Sequence, residues 1–492
     1  MELSRRAFLG LAAAGPFVLR HRVVDAAVDP AVVGSWSPRV KMPHIGIHMF
    51  TLPGRPELLI ASSKYGGPKG TIAWTWDPST NIIADATMQQ AFNFMCGGGI
   101  LDEIGWPRVY GGTNGNDRSF WYKASTRTWI EGKRMSTGRY YPTSVRGGYT
   151  PSYPNGFIIT AVGQIRSLDI YDAHDNNLTT KMTRMPTSAD LPELGYQTQY
   201  PRLHLLPSGL IAMLGCEKVM KTFNVETATW TNGPTMLFGG RRYEGCATRL
   251  PGDGNEFLLT GGDTYLTNKR QERVNMLTGA QRETATMRLA RRQANTAILP
   301  DGTILVLGGI GTPQPNVPEL FNPYTDTLVA MADTPTQTLI NGVLVNDKPA
   351  YRGYHSTAIC RRGRVSWTGG VAGSVGMSSE VFTPPQLYRG PQPVLACVPG
   401  SESVALGGVI TFSTEGSLEP VTRVTLIRHS HNSHGHNGEQ QLYDLPFSEF
   451  PGGVVATIQA NPNLMPPGWY EAYGLTATGV WSQGTDIKIL RV

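Results

Sequence analysis

Seven times along the chain a short polar or aromatic start leads, through a Gly-containing turn, to an apolar strand that ends at or near glycine. Arg139-Tyr140-Tyr141-Pro142 leads to Phe157–Gly163, and Tyr200-Pro201 to Leu210–Gly215. Arg242-Tyr243 leads to Phe257–Gly262, Arg292-Gln293 to Ile304–Gly309, and Tyr354-His355 to Val365–Gly370. Phe94-Met95-Cys96 leads to Val109–Gly112, and a weaker copy runs from Met49 to Leu58–Ala61. Equivalent starts fall near 49, 96, 141, 200, 243, 293 and 354, at spacings of 43 to 61 residues. A unit of that length makes one small four-stranded sheet that cannot bury its faces alone. The continuous apolar runs suit inner strands covered on both faces by neighbouring units. Seven such units predict a closed ring, an all-β, seven-bladed β-propeller over residues 40–384.

The period is that of a kelch-type blade. Charged residues make up only 16% of the chain and 57 of its 492 residues are glycine, which also favours many short strands over helices. The texture changes near Pro384-Pro385 and Pro391-Gln392-Pro393, a linker signal. Beyond it, Val409-Ile410-Thr411 and Val421–Ile427 read as short strands without the blade repeat, predicting a small immunoglobulin-like β-sandwich over 392–492.

The first residues read as an address. Ser4-Arg5-Arg6-Ala7-Phe8-Leu9 is a twin-arginine pattern, followed by the apolar stretch Leu11–Leu19 and small residues near Ala26. Residues 1–26 are expected to be a Tat signal segment, and the protein periplasmic, cell-surface or extracellular. Removing them takes away four arginines and two acidic residues and leaves a net charge of about +4, ordinary for a soluble protein. No basic run interleaves with aromatics, so nucleic acid is not an expected partner. No apolar run approaches the roughly 20 residues of a membrane-spanning helix. Five cysteines is an odd number, so at least one lies outside any disulfide; Cys216 and Cys246 are a candidate pair.

Blade starts converge on one end of a propeller axis. Three of them carry Cys96, Tyr141 and Tyr354, with His355 directly after. Cys96 and Tyr141 fall on consecutive blades, within reach of a mutual bond. Far downstream, His429, His431, His434 and His436 fall within eight residues, and alternate strand positions would present imidazoles to one face. Two imidazoles and two phenol oxygens make a donor set that suits copper(II).

These residues resemble the copper-radical oxidases, the galactose oxidase and glyoxal oxidase family. Phe94–Gly99 resembles the family's Cys-Gly-Gly strand, Arg139–Thr143 its Arg-aromatic-Tyr-Pro motif, and Arg352–Ser356 its Arg-x-Tyr-His-Ser motif. Val424–Arg428 and His434–Gln440 resemble its C-terminal ligand region, with Ser433, Glu439 and Gln441 replacing the usual Thr, Asp and Arg. Pro466–Tyr470 and Gly479–Ser482 resemble the end of its C-terminal domain.

The resemblance implies one copper ion held by Tyr141, Tyr354, His355 and His434. It implies a Cys96–Tyr141 thioether carrying the radical, with Tyr354 as axial ligand and proton acceptor. It also implies oxidation of a small aldehyde, or of a primary alcohol that can sit on a glycan, by O2 with release of hydrogen peroxide; a monomer is expected. The motif details favour a glyoxal oxidase-like substrate. Trp74, Trp106 and Trp121 are all candidates for the aromatic that shields the radical, and His429, His431 and His436 are candidates for a second metal site. The competing reading is a non-catalytic kelch module that binds a glycan or protein through its funnel.

Overall fold

The computed structural model describes residues 28–491 apart from 63–69, 162, 164, 174–179, 192–198, 239–240, 243, 263–267 and 371–375. Residues 1–27, and with them the expected signal segment, lie outside the described residues, as does Tyr243. Among the described residues the chain forms nine sheets. Seven follow one another in sequence, starting at His48–Thr51, Gly98–Leu101, Thr143–Gly147, Arg202–Leu205, Cys246–Arg249, Asn295–Ile298 and Ser356–Arg361. Each is an antiparallel meander whose first two strands are almost wholly buried, as predicted for strands clamped between blades. The fold is the expected seven-bladed propeller.

Ring closure uses a strand with no apolar run of its own. Arg39–Lys41, near the start of the described chain, pairs antiparallel with Ser378–Thr383 and supplies the missing outer strand of the seventh blade. The two ends of the ring are thereby held together by backbone hydrogen bonds, which leaves that blade no free edge on this side. The exposed hairpin Gln337–Ile340/Val343–Asn346 extends the same sheet.

At six of the seven blade starts the backbone turns through a left-handed residue: Cys96 (φ 61°), Tyr141 (60°), Tyr200 (49°), Glu244 (54°), Gln293 (54°) and His355 (61°). None is glycine, so each conformation costs energy and is held by its surroundings. The holding device is repeated. The N–H of Tyr141 donates to the carbonyl of Cys96 at 2.8 Å, that of Tyr200 to Tyr141 at 2.9 Å, and that of Gln293 to Glu244 at 2.8 Å. Neighbouring blades are thus linked where they meet the axis.

A second repeated device sits just before these residues. Arg139–Asp169, Arg242–Glu272, Arg291–Glu319 and Arg352–Glu380 are fully buried ion pairs, each inside one blade. Arg242 and Arg291 also donate to the carbonyls of the strand-ending Gly261 (2.9 Å) and Gly308 (3.0 Å), and Arg352 to that of Gly369. Burying a guanidinium is costly, and the paired carboxylate and the carbonyls offset most of that cost here.

The last two sheets form the sandwich, one built around Val409–Ser413 and Gly453–Thr457, the other around Arg423–Arg428, Gly468–Leu475 and Thr485–Leu490. Phe412, Val424, Leu426, Tyr470, Ala472, Ile487 and Ile489 fill the space between them. The strand His431–Ser433 leaves the sandwich and pairs with His48–Thr51, the innermost strand of the first blade. The second module therefore reaches along the propeller axis.

Candidate metal centre

The reaching segment ends in a two-residue hairpin. The N–H of His436 donates to Ser433 O at 2.8 Å and that of Ser433 to His436 O at 3.1 Å. The two residues between, His434 and Gly435, have φ of 51° and 75°. Positive φ at both central positions is the type I′ turn, which matches strand twist and strongly favours glycine second. A Cβ on residue 435 would overlap the carbonyl oxygen of Ala294 in the sixth blade. The same segment is tied to the seventh blade through Thr357 Oγ1 to Asn432 O (2.8 Å) and Asn432 Nδ2 to Ala358 O (2.8 Å). Glu439 accepts from Leu101 N of the second blade at 2.9 Å. His434 is delivered to the axis by a turn braced on several blades, not by alternation along a strand.

Its ring orientation is also specified. Ser433 Oγ donates to Ile47 O at 3.0 Å, so toward His434 Nδ1, 2.7 Å away, it acts as acceptor. That selects the Nδ1–H tautomer and leaves the Nε2 lone pair facing Cys96 Sγ, 4.0 Å away. His355 meets the His434 ring at 83° with centroids 4.8 Å apart, and its buried Nε2 has no hydrogen-bond partner. The ligand atoms of Cys96, His355 and His434 lie within 4.8 Å of one another, the one such cluster of at least three His, Cys, Asp or Glu among the described residues.

The phenols complete the site. The hydroxyls of Tyr141 and Tyr354 hydrogen-bond each other directly. Cys96 packs with Tyr141 in a small buried cluster. Burial pushes the Cys96 thiol up to about 11 and both phenols above their usual range, and it lowers His355 to about 4. His434 is lowered well below the ordinary imidazole value, again by burial. At neutral pH both imidazoles are uncharged and ready to bind a metal, while both phenols keep their protons until a cation displaces them. Two neutral nitrogens and two phenol oxygens converging on one point, one nitrogen orphaned, fit copper(II).

Several expectations are corrected. Among the described residues, none of the three tryptophans meets Tyr141. Trp74 is buried with Trp76 and Ile60 in a blade core, Trp121 lies under Arg108 (4.0 Å), and Trp106 faces Lys123. Tyr140 (centroids 4.2 Å apart) and Tyr200 (5.2 Å) cover the Tyr141 ring instead. Tyr200 also lies over His434 at 4.7 Å and donates to Gly97 O at 3.1 Å.

Among the described residues, the extra histidines form no second metal cluster. His429 pairs with Asp486 at 2.9 Å, His431 lies between His48 (3.0 Å) and Gly99 O (3.0 Å), and His436 faces His204. None of the five cysteines is in a disulfide; Cys246 donates to Ala294 O at 3.0 Å rather than bonding to Cys216. Sequence reasoning also passed over Glu244, whose carboxylate is 2.9 Å from Arg292 and close enough to Tyr354 to raise its pKa.

Residues 392–489 match the family model described as galactose oxidase-like, Early set domain. Two curated proteins named galactose oxidase from Gibberella zeae are each 24% identical over 512 residues, covering 93% of this chain and 71% of their own length. The chain is thus similar to galactose oxidases over nearly its whole length, and its C-terminal module matches their Early set domain. A solved structure described as a novel fungal alcohol oxidase with catalytic diversity among the AA5 family, in complex with copper, superposes with a TM-score of 0.79 at 19% identity. It covers 93% of this chain and 99% of its own. The fold of that structure is thus shared over nearly the whole of this chain.

Proposed function

We propose that the protein is an exported mononuclear copper-radical oxidase that converts an aldehyde or primary alcohol and O2 to the oxidised product and hydrogen peroxide. The observation that carries this reading is the convergence of Tyr141, Tyr354, His355 and His434 with Cys96 on one buried point of the axis. Copper(II) held by those four side chains would supply one of the two one-electron acceptors and the Lewis acidity that acidifies a bound hydroxyl.

The chain's own groups then have defined tasks. Tyr354 accepts the substrate's hydroxyl proton, as its position against the Tyr141 hydroxyl suits it to do. Tyr141, joined to Cys96 through sulfur on the ring carbon beside its hydroxyl, is the second one-electron acceptor and takes the hydrogen atom from the substrate carbon. The sulfur lowers the cost of oxidising the ring. Two electrons and two protons leave the substrate, and O2 takes up both pairs as peroxide. Ser433 holds the His434 tautomer, and Tyr140 and Tyr200 exclude water from the Tyr141 ring.

The Tyr-Pro-Thr run at 141–143 and the Leu-Ile-Arg run at 426–428 support a glyoxal oxidase-like preference. The Glu244–Arg292 pair beside Tyr354 adds donors and acceptors suited to a polar, hydroxylated substrate or hydrated aldehyde. The test is a peroxide-release screen of the copper-loaded protein across small aldehydes, primary alcohols and sugars. Peroxide from at least one class, lost in Tyr141→Phe, is expected. Copper binding without peroxide from any class would remove the oxidase reading.

A further inference from the structure

Arg146 lies five residues past Tyr141 on the first strand of the third blade, and its side chain is 5% exposed. Its Nε and Nη1 have no hydrogen-bond partner, and among the described residues no carboxylate lies within ion-pair distance of it. Every acidic group nearby is already engaged. Asp102 pairs with Arg108 at 2.8 Å, Glu103 with Arg491 at 2.8 Å, and Glu439 with Arg428 at 3.1 Å. Arg428 repels the guanidinium, and the more distant Glu439 and Glu103 attract it without offsetting the cost of its burial. A permanently charged guanidinium left buried and unpaired is among the costliest arrangements a fold can contain. Neutralisation by proton loss is closed to it, since arginine stays protonated.

Beside Arg146 is a cavity of about 80 Å³, lined by Asp102, Glu103, Ile104, Arg108, Ile158 and Ala173. That is room for roughly two or three waters, a water's share of liquid volume being about 30 Å³. On its other side the sandwich leaves space by using glycine: a Cβ on Gly468 would stand 2.8 Å from Arg146 Nη2.

We propose that Arg146 anchors a site for a halide-sized monoanion at the seam between the second and third blades, on the side of the guanidinium away from the sandwich. The anion completes the guanidinium's hydrogen bonds and cancels the one unmatched charge of this cluster. It also braces the strand whose other end presents Tyr141.

The test compares copper-loaded wild type with Arg146→Met, a neutral side chain of similar length. Unfolding is followed as chloride replaces gluconate, which is too large for the cavity, at constant ionic strength. Wild type should show a saturable rise in midpoint of about 2 °C or more, absent in R146M. Bromide-soaked wild-type crystals should give an anomalous peak beside the guanidinium, which decides the matter if R146M fails to fold. No chloride dependence, an equal rise in R146M from anion binding elsewhere, or water alone at that position would each overturn the assignment.

Discussion

The backbone N–H of Tyr141 donates to the carbonyl of Cys96 at 2.8 Å, and both residues are left-handed, with φ of 60° and 61°. This bond fixes the spacing of two consecutive blades where they meet the axis, and so sets thiol against phenol before any chemistry occurs. Two residues 45 positions apart are pre-positioned by the same kind of hydrogen bond as the one from Tyr200 N–H to the Tyr141 carbonyl.

The turn that carries His434 is the most sensitive element of the centre. Gly435→Ala forces a Cβ into the Ala294 carbonyl and into a conformation that disfavours side chains. The variant should still fold but bind copper about 10–100-fold more weakly, as measured by competitive chelator titration. Unchanged affinity would show that the turn does not position the imidazole.

Ser433 is predicted to matter through the tautomer it selects. Ser433→Ala removes the acceptor for His434 Nδ1, and copper affinity or turnover should fall about 10–100-fold. Ser433→Thr keeps the hydroxyl and should retain most of both.

Tyr354 is assigned the proton transfer. Tyr354→Phe should keep the Cys96–Tyr141 bond detectable by mass spectrometry while kcat falls by about 10²–10⁴-fold. A variant with near wild-type turnover would move that role elsewhere.

Stability should depend on the buried imidazoles. Burial holds His204 and His431 at about 3 in the folded protein, against an ordinary value of 6.5. Between those values the unfolded chain binds protons that the native state refuses. Stability is therefore full above pH 6.5 and falls as pH drops toward 3, by about 1.4 kcal/mol per unit for each histidine. His204→Leu should make unfolding curves between pH 6 and pH 4 measurably less pH-dependent. An unaltered slope would contradict the assigned burial cost.

The propeller was legible because each blade announces itself by an apolar strand ending in glycine, at Gly215, Gly262, Gly309 and Gly370 among others. Cys96, Tyr141 and His355 stand out in the sequence because they lie at blade starts, and His434 because its spacing to Asn437 and Gln440 resembles a known family. Closure by Arg39–Lys41 was not, since three residues paired mainly by backbone bonds leave no hydrophobic signature. The covering of Tyr141 by Tyr140 and Tyr200 was missed for a different reason. An aromatic at a blade start reads as packing until the ring places it beside a second start. The pairing of Ser433 with His436 was hidden by reading histidines as strand alternation, although His434-Gly435 carries the residue order of a type I′ turn.

The central claim is a covalent bond between two side chains that the fold holds together. Copper(II) and O2 should be added to protein prepared without metal, and the reduced, digested chain weighed. The predicted result is a single species containing the peptides of Cys96 and Tyr141, lighter than their sum by the two hydrogens lost on bonding, and absent in Cys96→Ser. Recovery of the two peptides as separate, unmodified masses from a protein that has demonstrably bound copper would contradict it.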